Sequence, residues 1–159
     1  MTDLALRFDP AAWSSDLVLA NGALATDDGL RTAVIISLFT DARARADDPL
    51  AEGEDPRGWW GDAFNADPSD RTGSLLWQLA RAKATQATAT RARDIAREAL
   101  AWMTEDGVAS AVEITTEAIA PTPARPSGAI AIGVTIQRPG GPARQRFDFL
   151  WDATAGSLA

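Results

Sequence analysis

Any chemistry in this chain has to come from paired carboxylates, a single lysine or a metal held by oxygen ligands. None of its 159 residues is His, Cys or Tyr, and Lys83 is its single lysine. That composition excludes Ser-His-Asp and Cys-His nucleophiles and imidazole or thiolate metal sites. Two acidic pairs that include a glutamate could supply carboxyls, Glu54-Asp55 and Glu105-Asp106. A glycosidase needs two carboxyls at a set separation, one of them with its pKa raised by burial. These pairs lie far apart in sequence. They adjoin Pro56 and Gly107, where acidic residues ordinarily form turns. Lys83 could serve as a Schiff-base amine, but it lies in the polar run Arg81-Ala-Lys-Ala-Thr85 with no apolar setting. Gly140-Gly141 precede a strand-like stretch, whereas a phosphate loop opens a helix. Asp47-Asp48 lack the spacing of a calcium loop. No catalytic set, metal or cofactor is expected.

The segment Gly58-Trp59-Trp60-Gly61-Asp62 carries a different signal. Each indole can bury roughly 150–250 Å², and the flanking glycines let the backbone turn and approach a second surface closely. Such a pair either closes the domain's own core or docks on a partner. Arg57 stands just before it, and arginine beside aromatic residues is common at the centres of interfaces. The ordinary alternative for Arg57 is a cation–π or carboxylate contact within the domain. The reading favoured here places Trp59 or Trp60 as an anchor for a partner. Arg57 would pair with a carboxylate, and Glu54, Asp62 and Glu105 would belong to the same partner-binding set. One ring is expected to turn inward to the core and the other outward.

Composition limits what that partner can be. A net charge of −7 argues against nucleic acid, which requires a basic face. The most apolar stretch, Ala33 to Phe39, is far too short to span a membrane. No signal-peptide pattern or cysteine points to secretion, so an intracellular origin is expected. The length suits a single domain able to bury a core.

The elements that must position these residues follow from period and punctuation. Over 3–26, Leu4, Leu6 and Phe8 alternate with smaller or polar residues, and Asn21-Gly22 between two short apolar runs predicts a tight hairpin. Residues 28–46 carry a wide apolar stripe through Leu30, Val34 and Leu38, with Asp27 or Asp28 as cap, and predict a helix. Residues 47–72, rich in Asp, Pro and Gly, form a long loop that contains the Trp pair. Ser74 is placed to cap a short helix, Leu75 to Ala82. A second long helix is predicted over 85–105 from Ile95, Ala99, Trp102 and Met103, with Gly107 as its stop. From Val108 the period changes to two. Val112 and Ile114, then Ile130 to Ile136, then Phe147 to Trp151 predict three antiparallel strands with one apolar face. The class is α+β: an N-terminal β-hairpin, two long helices and a C-terminal three-stranded antiparallel sheet, in a single domain over 1–159 with its core at about 3–152.

Taken in order, Asn21-Gly-Ala-Leu-Ala-Thr-Asp-Asp28, Leu38-Phe-Thr40, Gly58-Trp-Trp-Gly-Asp62, Gly73-Ser-Leu-Leu-Trp77, Glu98-Ala-Leu-Ala-Trp102 and Asp106-Gly-Val108 resemble the phage Mu-like family of small tail-baseplate proteins found in prophages. The resemblance spans about residues 3–152, and Gly-Trp-Trp-Gly-Asp is its most specific part. The family is distantly similar to the short, lysozyme-like wedge protein of other contractile tails and its type VI secretion counterpart. Those relatives carry Glu-Pro-Arg after the last long helix. Here the matching place is Glu105-Asp106-Gly107, so only the Glu is kept and contacts made through that Arg are not carried over.

The resemblance implies a non-enzymatic structural subunit of a contractile tail baseplate wedge. It would be present in several copies per tail and bind larger wedge proteins and tube or sheath-initiating proteins. Assembly in the host cytoplasm is implied, with no nucleic-acid or membrane partner. Two alternatives stand beside it: a cell-wall glycosidase using Glu54 or Glu105, and an assembly adaptor absent from the finished particle.

Overall fold

The computed structural model describes residues 3–9, 14–27, 30–48, 50, 52–67, 70–80, 82–123, 125–140, 144–152 and 157–158. Six short strands come first: β1 (Asp3–Leu4), β2 (Leu6–Asp9), β3 (Ser14–Leu17), β4 (Leu19–Ala20), β5 (Ala23–Leu24) and β6 (Thr26–Asp27). They pair as three two-stranded antiparallel ribbons, β1 with β6, β2 with β3 and β4 with β5. The ribbons meet at a closed ring of backbone hydrogen bonds. Ala5 N–H donates to the Ala25 carbonyl (2.9 Å), Ala25 N–H to that of Val18 (2.7 Å), and Val18 N–H to that of Ala5 (3.0 Å). The expected hairpin is the β4–β5 arm, turning through Asn21 and Gly22 at φ 52° and 79°, the left-handed pair such a turn requires. The other two arms depend on pairings between distant residues.

The first helix, α1, runs only Arg31–Phe39. Asp27 fulfils its capping role from outside the helix, its Oδ2 accepting the Thr32 N–H at 2.6 Å; Asp28 lies outside the described residues. Thr32 Oγ1 in turn donates to the Leu4 carbonyl, tying the ribbons to the body. The predicted extension to residue 46 is corrected here. After Phe39 the backbone turns extended, because Ala42 N–H donates to the Ser74 carbonyl and Ala44 N–H to that of Pro56. Tertiary hydrogen bonds outweigh the helix propensity of Ala42-Arg-Ala-Arg45.

The loop returns through Ser74 into a 3-10 helix at Leu76–Leu79. Ser74 Oγ accepts the Leu76 N–H and donates to the Leu38 carbonyl, so one buried hydroxyl caps the short helix and the end of α1 together. The second long helix is two pieces, α2 (Gln86–Ala99) and α3 (Trp102–Glu105), separated at Leu100-Ala101. Thr85 caps α2 by accepting the Thr88 N–H. Gly107, at φ 69°, follows the C-cap Asp106 as expected.

The C-terminal sheet consists of β7 (Ala111–Ile119), β8 (Ala129–Gln137) and β9 (Gln145–Asp152), all antiparallel, with a short fourth strand β10 (Ser157–Leu158) added to β9. The predicted turn at 139–142 lies partly outside the described residues. One face is apolar: Ile130, Ile132, Val134 and Ile136 with Phe147, Phe149 and Trp151 are buried. Against it pack Val34 and Leu38 of α1, the small residues Ala89, Ala92 and Ala96 of α2, then Leu100 and Met103. Alanines on the buried face let α2 lie close to β7, and Thr116 Oγ1 donates to the Ala89 carbonyl at 2.8 Å. Each large aliphatic side chain so buried contributes about 1.5–3 kcal/mol. Trp102 seals the edge by donating its indole N–H to Ser37 Oγ.

Candidate functional site

The aromatic loop is locked to the body from one side. Gly58, at φ 110°, passes so close to the extended segment after α1 that a Cβ there would stand 2.8 Å from Arg43 Cβ. Arg57 is itself left-handed at φ 56°. Its N–H is held by Asp55 Oδ1 at 2.9 Å, and its carbonyl accepts from the Arg43 guanidinium. Its own guanidinium lies over the Trp77 ring, 4.6 Å from the centroid, and pairs with Asp41 Oδ2 at 2.7 Å. Trp77 is buried and donates its indole N–H to the Ala42 carbonyl. Arg57 therefore holds the loop onto the extended segment after α1 and the 3-10 helix Leu76–Leu79. Its cation–π and carboxylate contacts are with groups of the same chain.

Beyond Arg57 the chain makes a 3-10 helix, Trp60–Phe64. Asp62 stabilises it, Oδ1 accepting the Thr72 N–H from the returning end of the loop at 3.1 Å. The other oxygen, Oδ2, is buried with no hydrogen-bond donor on it among the described residues. Gly61 is buried beneath the Trp59 ring, and a Cβ at Gly61 would stand 2.3–2.6 Å from three ring atoms. Only glycine leaves room for that indole.

The expectation that one ring would enter the core is corrected by this geometry. Trp59 lies flat on its own turn and stays 42% exposed, while Trp60 is 74% and Phe64 80% exposed. The core is closed instead by Trp77 and Trp151, with Trp102 packed at its edge. The three loop rings form one continuous patch. Trp59 and Trp60 centroids are 5.8 Å apart, and Trp60 and Phe64 meet edge-to-face at 6.0 Å. Phe64 was missed by the sequence reading; its four-residue spacing from Trp60 is the signal that could have found it.

Glu54 is exposed at the start of the same loop. Glu105 is elsewhere: it lines an open groove of about 960 Å³ between the loop's return and the α2–α3 junction, with Arg43, Arg45, Arg71 and Glu98. Arg45 there forms an ion pair with Glu98. The structure thus brings Arg57, Trp59, Trp60, Asp62 and Glu54 onto one loop and leaves Glu105 apart. Near the loop's start, Asp48 Oδ2 accepts the Arg45 N–H at 2.7 Å, and this bond holds its carboxyl below the ordinary aspartate range. Among the described residues no group of Asp and Glu converges as a metal site would require.

Comparison with known proteins adds identity to this geometry. The pattern of the family described as Phage protein GP46 matches residues 30–143. The chain is 45% identical over 121 residues to the baseplate protein gp46 of Escherichia phage Mu, an alignment covering 74% of this chain and 78% of that protein. It is also 45% identical over 114 residues to the Mu-like prophage FluMu protein gp46 of Haemophilus influenzae, covering 72% of this chain and 75% of that one.

Proposed function

The chain belongs to the phage protein GP46 family, and from that membership we propose that it is a structural subunit of a phage tail baseplate. In the finer reading it is a wedge component of a contractile tail. It joins larger wedge proteins near the base of tube and sheath, in several copies around the axis, and acts without catalysis. The relative from Mu is itself named a baseplate protein, which supports the coarser role. The observation that carries the docking role is the exposed patch of Trp59, Trp60 and Phe64 on a loop whose other side is fastened by Arg57. A rigid turn presenting large rings to solvent has the composition and preorganisation of an interface anchor.

Complementation tests this. Tails assembled from a gene cluster lacking this chain are supplied with the wild type or with Trp60→Ala, then purified and analysed by mass spectrometry and electron microscopy. The wild-type chain should be found in finished particles, and Trp60→Ala should fold but fail to incorporate. Absence of the wild type from finished particles would instead establish an assembly adaptor. Turnover of peptidoglycan lost in Glu54→Gln or Glu105→Gln would establish an enzyme.

A further inference from the structure

Residues 47–72 contain eight acidic residues and two arginines, a surplus that nearly equals the net charge of −7 for the whole chain. Asp47, Glu52, Glu54, Asp55, Asp67 and Asp70 are all exposed, so this surplus faces solvent on the loop that carries the aromatic patch, Asp67 and Asp70 on the side that lines the groove. The two arginines at the base of the patch, Arg43 and Arg57, are turned onto the chain itself, and the loop's other arginine, Arg71, lines the groove that holds Glu105. Arg57 is engaged by Asp41 and Trp77, and Arg43 donates to the Arg57 carbonyl. The surface beyond Arg57 therefore combines three exposed rings, a loop of negative charge and no arginine or lysine between residues 58 and 70.

Taking the docking role of the loop as its premise, we infer that this patch receives a basic protein segment, with an arginine or lysine side chain seated on the Trp60–Phe64 face. An aromatic face attracts cations, tryptophan most strongly. The surrounding carboxylates raise the local concentration of positive charge and steer it to the rings. The same field repels nucleic-acid phosphates and anionic lipid surfaces, the polyanionic partners that stacking rings could otherwise serve. An apolar partner would gain nothing from the acidic surround and would desolvate part of it at a cost. The inference fixes the chemistry of the partner surface: a basic segment, extended enough to lie along one turn of 3-10 helix.

The test uses the intact chain and two octapeptide probes, one of alternating Arg and Gly, the other with citrulline, the neutral isostere, in place of each Arg. Binding is measured by indole fluorescence and calorimetry. The Arg peptide should bind at least about tenfold more tightly than the citrulline peptide and weaken as salt rises from about 50 to about 300 mM. Trp60→Ala, and separately Phe64→Ala, should weaken it about fivefold or more. Paired Glu52→Gln and Glu54→Gln should weaken it too, whereas Glu113→Gln with Glu117→Gln, which removes the same charge from exposed positions of β7, should not.

Equal binding of the two peptides, or binding of neither, overturns the inference. So does a Trp60→Ala chain that binds the Arg peptide as well as wild type does, since general attraction to an acidic protein would then suffice. The two failures are separable. If Trp60→Ala stays out of particles while the Arg peptide does not bind, the docking role stands and the basic partner falls. If Trp60→Ala incorporates normally, the docking role itself is wrong.

Discussion

Replacing Trp60 with Ala should cost assembly and spare the fold, and the contrast with Trp77 makes this quantitative. Trp60 is 74% exposed, so folding removes only about a quarter of its surface from water. For a side chain of roughly 200 Å² that is about 50 Å², worth about 1.3 kcal/mol at ~25 cal/mol per Å², and the figure is an upper estimate. The edge contact with Phe64 adds about 0.5–1.5 kcal/mol at most. Trp77 is 8% exposed, donates to the Ala42 carbonyl and is the platform for Arg57. Its removal should cost about 3–5 kcal/mol, the range for emptying a buried aromatic site. Urea unfolding of the two purified variants, read by circular dichroism, separates these values, since the midpoint reports stability while the slope is unchanged. Trp60→Ala should unfold close to wild type and Trp77→Ala far earlier. If Trp60→Ala is destabilised as much as Trp77→Ala, the ring belongs to the fold and reasoning from its exposure fails.

Gly61→Ala should drive the Trp59 indole off its seat, because the new methyl would stand 2.3–2.6 Å from the ring; a loss of about 1–3 kcal/mol and a shift in tryptophan emission are expected, and an unchanged spectrum would contradict the seating. Ser74→Ala leaves the buried Leu38 carbonyl and Leu76 N–H without their shared hydroxyl, and should cost about 1–3 kcal/mol in urea unfolding. Asp48 titrates below its ordinary value of 3.8 in the folded chain because it accepts the Arg45 N–H. A lowered folded pKa adds stability that is complete above the unfolded value and lost as pH falls through the folded one. Asp48→Asn should therefore flatten part of the acid limb below about pH 4 and leave the slope near neutrality unchanged; carboxyl chemical shifts across the same range check the direction.

What could be read from the sequence was what is encoded locally. Asn21-Gly22 needs only its own two left-handed residues to make a hairpin. The three long strands are visible because Ile130 to Ile136 and Phe147 to Trp151 alternate every second residue against one core. Where distant backbone partners decide, the pattern misleads. Ala42 and Ala44 continue α1 by propensity, yet they donate to Ser74 and Pro56. The ring of Ala5, Val18 and Ala25 joins three segments with no shared signature. At the site the residue types of the loop were legible but not their directions. Arg57 is two residues from Trp59 in sequence, yet its guanidinium rests on Trp77, because the loop closes back onto the 3-10 helix. Two adjacent rings in an irregular segment follow no period, so nothing in the string shows that both stay outside the core.

Cryo-electron microscopy of intact tails containing this chain tests the central claim most directly, because it shows what covers the Trp59–Trp60–Phe64 patch in the assembled particle. The expected map places this chain in the baseplate, with the patch closed by a neighbouring subunit and an arginine or lysine of that neighbour over the Trp60–Phe64 face. A map in which the chain occupies the baseplate but the three rings face open solvent would contradict the role assigned to the loop.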